Sequence, residues 1–202
     1  MSLPLQVGIT GGIGSGKSVV CKLFSCLGIP VYNADSRAKW LTNHDPQIIE
    51  SVVALLGDES YTKEGHYNTA YVSSLVFNND DLLKKLNAII HPVVMLDTAD
   101  WVESHAAAPY VVKEAAIMNK AGDRNSLDYV VVVEAPLELR ITRILQRDKR
   151  SEEQIRAIVK RQVSDDERKK VGDFFINNDE KSALIPQVMQ LHQIFLMHNK
   201  QN

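Results

Sequence analysis

Eight consecutive residues constrain this chain more than any others. Gly11-Gly12-Ile13-Gly14-Ser15-Gly16-Lys17-Ser18 meets the pattern G-x-x-x-x-G-K-[ST] at every fixed position. Glycines there let consecutive backbone N–H groups turn inward and approach phosphate oxygens closely, and a helix starting at the end of the loop adds its positive dipole end. Lys17 supplies a mobile positive charge for β- and γ-phosphates, and the Ser18 hydroxyl is suited to coordinating Mg2+. The context agrees. Leu5–Thr10 is short and apolar, as a buried parallel strand requires. From about Ser15 to Leu27, the residues Val19, Val20, Leu23, Phe24 and Leu27 share one helical face, and Gly28 stands at the stop. Motif and context together argue against a glycine-rich turn that binds nothing.

The remaining pattern predicts an α/β fold. Pro30-Val31-Tyr32 reads as a second strand and completes one βαβ unit. Residues 45–107 give only helical signals: Asp45-Pro46 opens a helix that Gly57 ends, Asp80 opens another, and His91-Pro92 starts a third. Strand signals resume at Tyr110–Glu114, Tyr129–Glu134 and Phe174–Ile176. Between them, Pro136 starts a helix to about Arg147 with Leu137, Ile141, Ile144 and Leu145 inward. Ser151-Glu-Glu-Gln154 and Ser164-Asp-Asp-Glu167 are capping-box signatures, and a last helix runs to about His198. Alternating strands and helices predict a parallel sheet covered on both faces. The expected organisation is a phosphate-loop core over 1–44 and 108–202, a lid near 147–170, and a helical insert over 45–107.

Composition narrows the function. The 202 residues hold 23 basic and 25 acidic side chains, which gives no electrostatic case for nucleic acid or membrane partners. Between Arg140 and Lys170, however, 11 basic residues face 6 acidic ones, so an anionic partner or a solvated helix face is needed there. Cys21 and Cys26 have neither zinc nor redox-pair spacing and read as reduced thiols. No secretory signal pattern and no apolar run of about 18 residues is present, which predicts a cytoplasmic protein. The chain lacks the guanine-reading N-K-x-D motif, and its third strand does not end in the Asp-Glu pair usual in motor ATPases. A helical insert for a second substrate and an Arg-rich lid suit a small-molecule kinase, which must close over both substrates to keep water out.

The string Val7-Gly-Ile-Thr-Gly-Gly-Ile-Gly-Ser-Gly-Lys-Ser18 resembles the opening of dephospho-CoA kinases. So do Leu27-Gly28, Asn33-Ala-Asp35, His91-Pro92, Gln146-Arg-Asp148 and Ile176-Asn-Asn178, in matching order and spacing. The resemblance implies a three-layer P-loop fold with a five-stranded parallel sheet, an acceptor-binding insert and a lid. It implies transfer of the ATP γ-phosphate to the ribose 3′-hydroxyl of dephospho-CoA, with Mg2+, by a monomer or weak oligomer. The residues implied for ATP are Gly12, Ile13, Gly14, Ser15, Gly16, Lys17, Ser18, Val19, Arg143 and Asn178. Thr10, Asp35 and His91 are implied on the acceptor side, Ser18 on the metal, and Lys17, Asp35 and Arg147 in catalysis.

Each of these has a plainer alternative. Asp35 is a base for the acceptor hydroxyl or a helix N-cap. Arg147 serves the γ-phosphate or, as expected for Arg140, Lys149 and Arg150, a solvated face; Arg143 stands between the two. His91 borders the acceptor or caps a helix, and Asn178 reads adenine or caps a turn. The chain also departs from the family pattern. It has Asn33 where the family usually has Asp, and Ala116 and Lys120 after Glu114 where a proline and a glutamate are usual. Glu114 keeps an acid at the strand end, suited to holding Mg2+ through water. Two rivals stay open: a kinase for another small molecule, and a nucleotide-binding module that phosphorylates no metabolite.

Overall fold

Strand β1, Leu5–Gly11, is buried along its whole length, because it is the middle strand of a five-stranded sheet. In this computed structural model, which describes residues 3–77, 79–123 and 125–199, β2 (Val31–Asn33), β3 (Tyr110–Glu114), β4 (Tyr129–Glu134) and β5 (Phe174–Asn177) complete it. The order is β2-β3-β1-β4-β5 and every pairing is parallel. On one face, Val7 and Ile9 meet Val20 and Phe24 of α1 (Lys17–Cys26) and Val188 and Phe195 of α9 (Leu184–Asn199). On the other, Val130 and Val132 pack with Leu127, Met118 and Val171. Covering both faces explains why these strands read as unbroken apolar runs rather than alternating ones.

Helices α6 (Leu137–Arg147), α7 (Glu152–Arg161) and α8 (Asp165–Val171) follow β4. Both capping boxes form: Ser151 and Ser164 each accept from the backbone three residues on, while Gln154 and Glu167 reach back. Ile141 and Ile144 of α6 pack on Ile155 and Ile13. Leu137 and Leu145, expected inward, are 37% and 42% exposed, because α6 turns Arg140 into its buried face. Val19 is likewise outward on α1, 54% exposed.

A second compact unit spans Ala34–Trp101; the first comprises 1–33 and 102–202. The pattern had suggested 45–107. The earlier start reflects a chain that passes from β2 into α2 (Ala34–His44) with no loop between, after which Leu41 of α2 joins a separate core with Ile48, Val52, Leu56, Val72 and Leu86. Asp45 caps α3 (Pro46–Leu56) by accepting from Ile48 N at 2.9 Å, and Asn68 caps α4 (Thr69–Val76). The third helix expected at His91 does not begin there. Asp80–Ser104 is one helix, α5, with Pro92 inside it. Leu82, Leu86, Ile89, Ile90, Val93 and Val94 bury a continuous face on both sides of the proline, which offsets the missing backbone hydrogen bond.

Candidate active site

The phosphate loop leaves the carboxyl end of β1, where open parallel sheets collect their ligands. Gly16 is the N-cap of α1, in left-handed conformation at φ 91°, with no side chain capping the helix and no acid in its first turn. The first N–H groups of α1 and their dipole are therefore available to an anion. Ser15 N donates to Gly12 O at 3.0 Å and closes the loop's turn. Ile13 N donates to Gln162 Oε1 at 3.0 Å, tying the loop to the residue after α7.

At the end of β3, Glu114 is 5% exposed and its carboxylate is well supplied with donors. Ser18 Oγ donates to Oε1 at 2.9 Å, Asn33 Nδ2 to Oε2 at 2.7 Å, and Lys17 Nζ lies 3.7 Å from Oε1. Such partners offset the cost of taking a carboxylate out of water. Cys21 is buried beside it: burial pushes its thiol pKa up, and the Glu114 charge adds to that. Cys26, on the same helix, is exposed. Thr10, expected on the acceptor side, is 1% exposed, and its hydroxyl donates to Ala116 O at 3.3 Å, so it braces the loop after β3.

The arginines of α6 separate. Arg140, expected on a solvated face, is 3% exposed and donates to Asp165 at 2.9 Å. Arg168 of α8, also buried, donates to the same carboxylate at 2.7 Å and to Val163 O at 2.8 Å. The Arg140 guanidinium fills the space a side chain on Gly12 would need. Both arginines line a cavity of about 290 Å³ together with Glu134, Lys169, Asn177 and Asp179. Arg143 reaches Asn178 and Glu180, and Asn178 reaches Ser15. Arg147 is exposed and paired with Asp148 at 2.8 Å, with Arg150 on the same carboxylate. The two guanidinium groups hold the Asp148 carboxyl below its ordinary range, the Arg147 hydrogen bond most of all.

In the second unit, Asp35 lies in the first turn of α2 and is exposed. Arg37, one turn region on, makes a bidentate pair with Asp97 at 2.8 and 2.6 Å and lies 4.2 Å over the Trp40 ring. His91 is inside α5, not at a helix start, and lines an open, largely apolar groove of about 850 Å³ with Ala88, Pro92, Met95 and Leu96.

Comparison with known proteins decides the family. Residues 5–183 match the family model for dephospho-CoA kinase. The chain belongs to the dephospho-CoA kinase family. Dephospho-CoA kinases of Bacteroides fragilis and Porphyromonas gingivalis are 36% and 37% identical over 189 and 188 residues, covering 94% and 93% of this chain and 92% of each relative. A solved structure from Thermus thermophilus agrees with a TM-score of 0.82 at 27% identity, covering 98% of both chains.

For a dephospho-CoA kinase using a divalent ion, the donor set can be tested. Ser18 Oγ and Glu114 Oε1, both hard oxygen ligands, stand 2.9 Å apart, and Asn33 fixes the second carboxylate oxygen. Among the described residues no cluster of three or more His, Cys, Asp or Glu side chains could cage a metal. That combination fits Mg2+, which takes one or two protein oxygens and completes its shell with water and substrate phosphates. Sequence reasoning missed Arg168, Asp165, Gln162 and Glu180. The only available signal for the arginines was Gly12, a glycine at a variable motif position, which marks close approach by a neighbour.

Proposed function

We propose that this chain transfers the γ-phosphoryl group of ATP to the ribose 3′-hydroxyl of dephospho-CoA, giving coenzyme A and ADP in the last step of coenzyme A synthesis. The observation that carries this reading is the Lys17–Ser18–Glu114–Asn33 cluster at the mouth of a helix-starting glycine loop, within a chain of this family.

The backbone N–H groups of Gly14 and Gly16 and the start of α1 hold the β-phosphate region of ATP, with Ile13 and Val19 as flanking contacts. Lys17 leaves Glu114 for the phosphate oxygens and follows the charge as it moves to the leaving oxygen. Ser18 and, directly or through water, Glu114 would hold Mg2+, which would supply positive charge against the charge developing on the transferred group. Asp35 accepts the proton of the acceptor hydroxyl or orients it; its exposed carboxylate, two residues past the end of β2, supports that role. Arg147 exchanges Asp148 for the γ-phosphate when the lid closes. Support comes from its exposure at the last turn of α6. Arg143 and Arg140 act on the nucleotide side of the loop. The groove holding His91 is apolar enough for a pantetheine arm. We place the protein in the cytoplasm as a monomer or weak oligomer, acting on nucleotides alone.

Assaying purified protein with ATP, Mg2+ and dephospho-CoA, beside AMP and shikimate as alternative acceptors, tests the reading. Coenzyme A should form with equimolar ADP. ADP release with another acceptor and none with dephospho-CoA would assign the site to a different small-molecule kinase. Nucleotide binding with no transfer to any acceptor would make it a sensor.

A further inference from the structure

The turn after β5 is built around the phosphate loop. The backbone N–H of Asn178 donates to Glu134 O at 2.8 Å, which fixes its position at the end of β4. Its side-chain Nδ2 donates to the carbonyl oxygen of Ser15 at 2.8 Å. The same nitrogen occupies the space that a side chain on Gly16 would take. The other end of the amide is also held: Oδ1 accepts from Arg143 Nη2 at 3.4 Å, and Arg143 is anchored on Glu180 at 3.2 Å. Glu180 has φ 65°, a positive value for a non-glycine residue, and such strain persists only where the surroundings impose it. The amide therefore has one orientation, donor toward Ser15 and acceptor toward Arg143.

The consequence is geometric. A trans peptide is planar, so the Ser15 carbonyl and the Gly16 N–H point in opposite directions. Tying Ser15 O to Asn178 aims the Gly16 N–H away from the β5 turn and into the hollow of the loop, where phosphate oxygens are bound. We propose that Asn178 is a positioning residue for phosphate recognition: it sets the Ser15–Gly16 peptide plane and does not read the nucleotide base. The inference rests on the loop binding a nucleoside triphosphate and is independent of the acceptor.

Asn178→Ala and Asn178→Asp distinguish this from adenine recognition. Asp keeps the shape and the Arg143 partner but turns an oxygen toward Ser15 O. Each variant is titrated calorimetrically with ATP, GTP and inorganic tripolyphosphate, without acceptor, and followed by thermal unfolding. ATP and tripolyphosphate should weaken by the same factor, roughly three- to tenfold for Ala and more for Asp, with the ATP:GTP preference unchanged. In turnover, the KM for ATP should rise while the acceptor KM stays within about twofold, a split that a general loss of fold would not give. Loss of ATP affinity with intact tripolyphosphate binding, or a collapsed ATP:GTP preference, would assign Asn178 to the base. Unchanged binding of all three ligands would overturn the proposal equally. If no coenzyme A forms with either wild type or variants, the titrations still decide the point.

Discussion

At the scale of single residues, Glu114 gathers Ser18, Asn33 and Lys17 on two oxygens. Asn33 matters because its amide fixes Oε2. Asn33→Ala would remove that donor and leave the carboxylate free to turn. We expect the Mg2+ concentration for half-maximal turnover to rise by about threefold or more; an unchanged Mg2+ curve would show that the amide is dispensable. Lys113, next to Glu114 on β3, is a different case: burial pushes its pKa down to about 8, with Gln6 and Ser126 as partners. Its folded pKa lies below the ordinary 10.5. The fold thus favours its neutral form, and stability gains from this group as pH rises from 8 toward 10.5. Urea midpoints at pH 7 and 9.5 should differ less in Lys113→Met than in wild type.

At the scale of elements, α5 and α9 carry clear expectations. Pro92 interrupts the backbone ladder of a 25-residue helix whose buried face is otherwise continuous. Pro92→Ala should raise stability by up to about 3 kcal/mol, seen as a higher melting temperature; a lower one would mean that the proline's shape is needed for packing. Helix α9 is pinned to the core by Tyr110, whose hydroxyl meets His192 Nδ1 at 2.6 Å. Burial lowers the His192 pKa below 6.5. The contribution is fully present above 6.5 and is lost as pH falls through the lower folded value. Urea midpoints should therefore drop between pH 7.5 and 5 more steeply in wild type than in His192→Gln.

At the scale of the molecule, the division into two units frames the acceptor question. If Asp35 serves the acceptor hydroxyl, Asp35→Asn should lower kcat by about 10²-fold or more while the KM for ATP changes little; a variant that mainly loses ATP affinity would contradict the role. Much of this architecture was legible. The phosphate loop, both capping boxes and the alternation of strands with helices follow from local spacing, because they depend on neighbours within a few residues. What stayed hidden depends on distant partners. Arg140 looked solvated because Asp165, which meets it, lies 25 residues away. The single helix through Pro92 was read as two, since a proline's local preference is overruled only by packing on both sides. The start of the second unit was misjudged because β2 gives way to α2 without a loop.

The two thiols of α1 have unlike surroundings, and this bears on how the protein can be watched at work. Cys21 is enclosed with its thiolate disfavoured, whereas Cys26 lies open as the last residue of the helix. Maleimide attack needs an accessible thiolate, so a single dye per molecule should attach, at Cys26, as peptide mass mapping would register. The labelled enzyme would then carry a reporter about 15 Å along the helix from the catalytic loop, obtained without altering a codon.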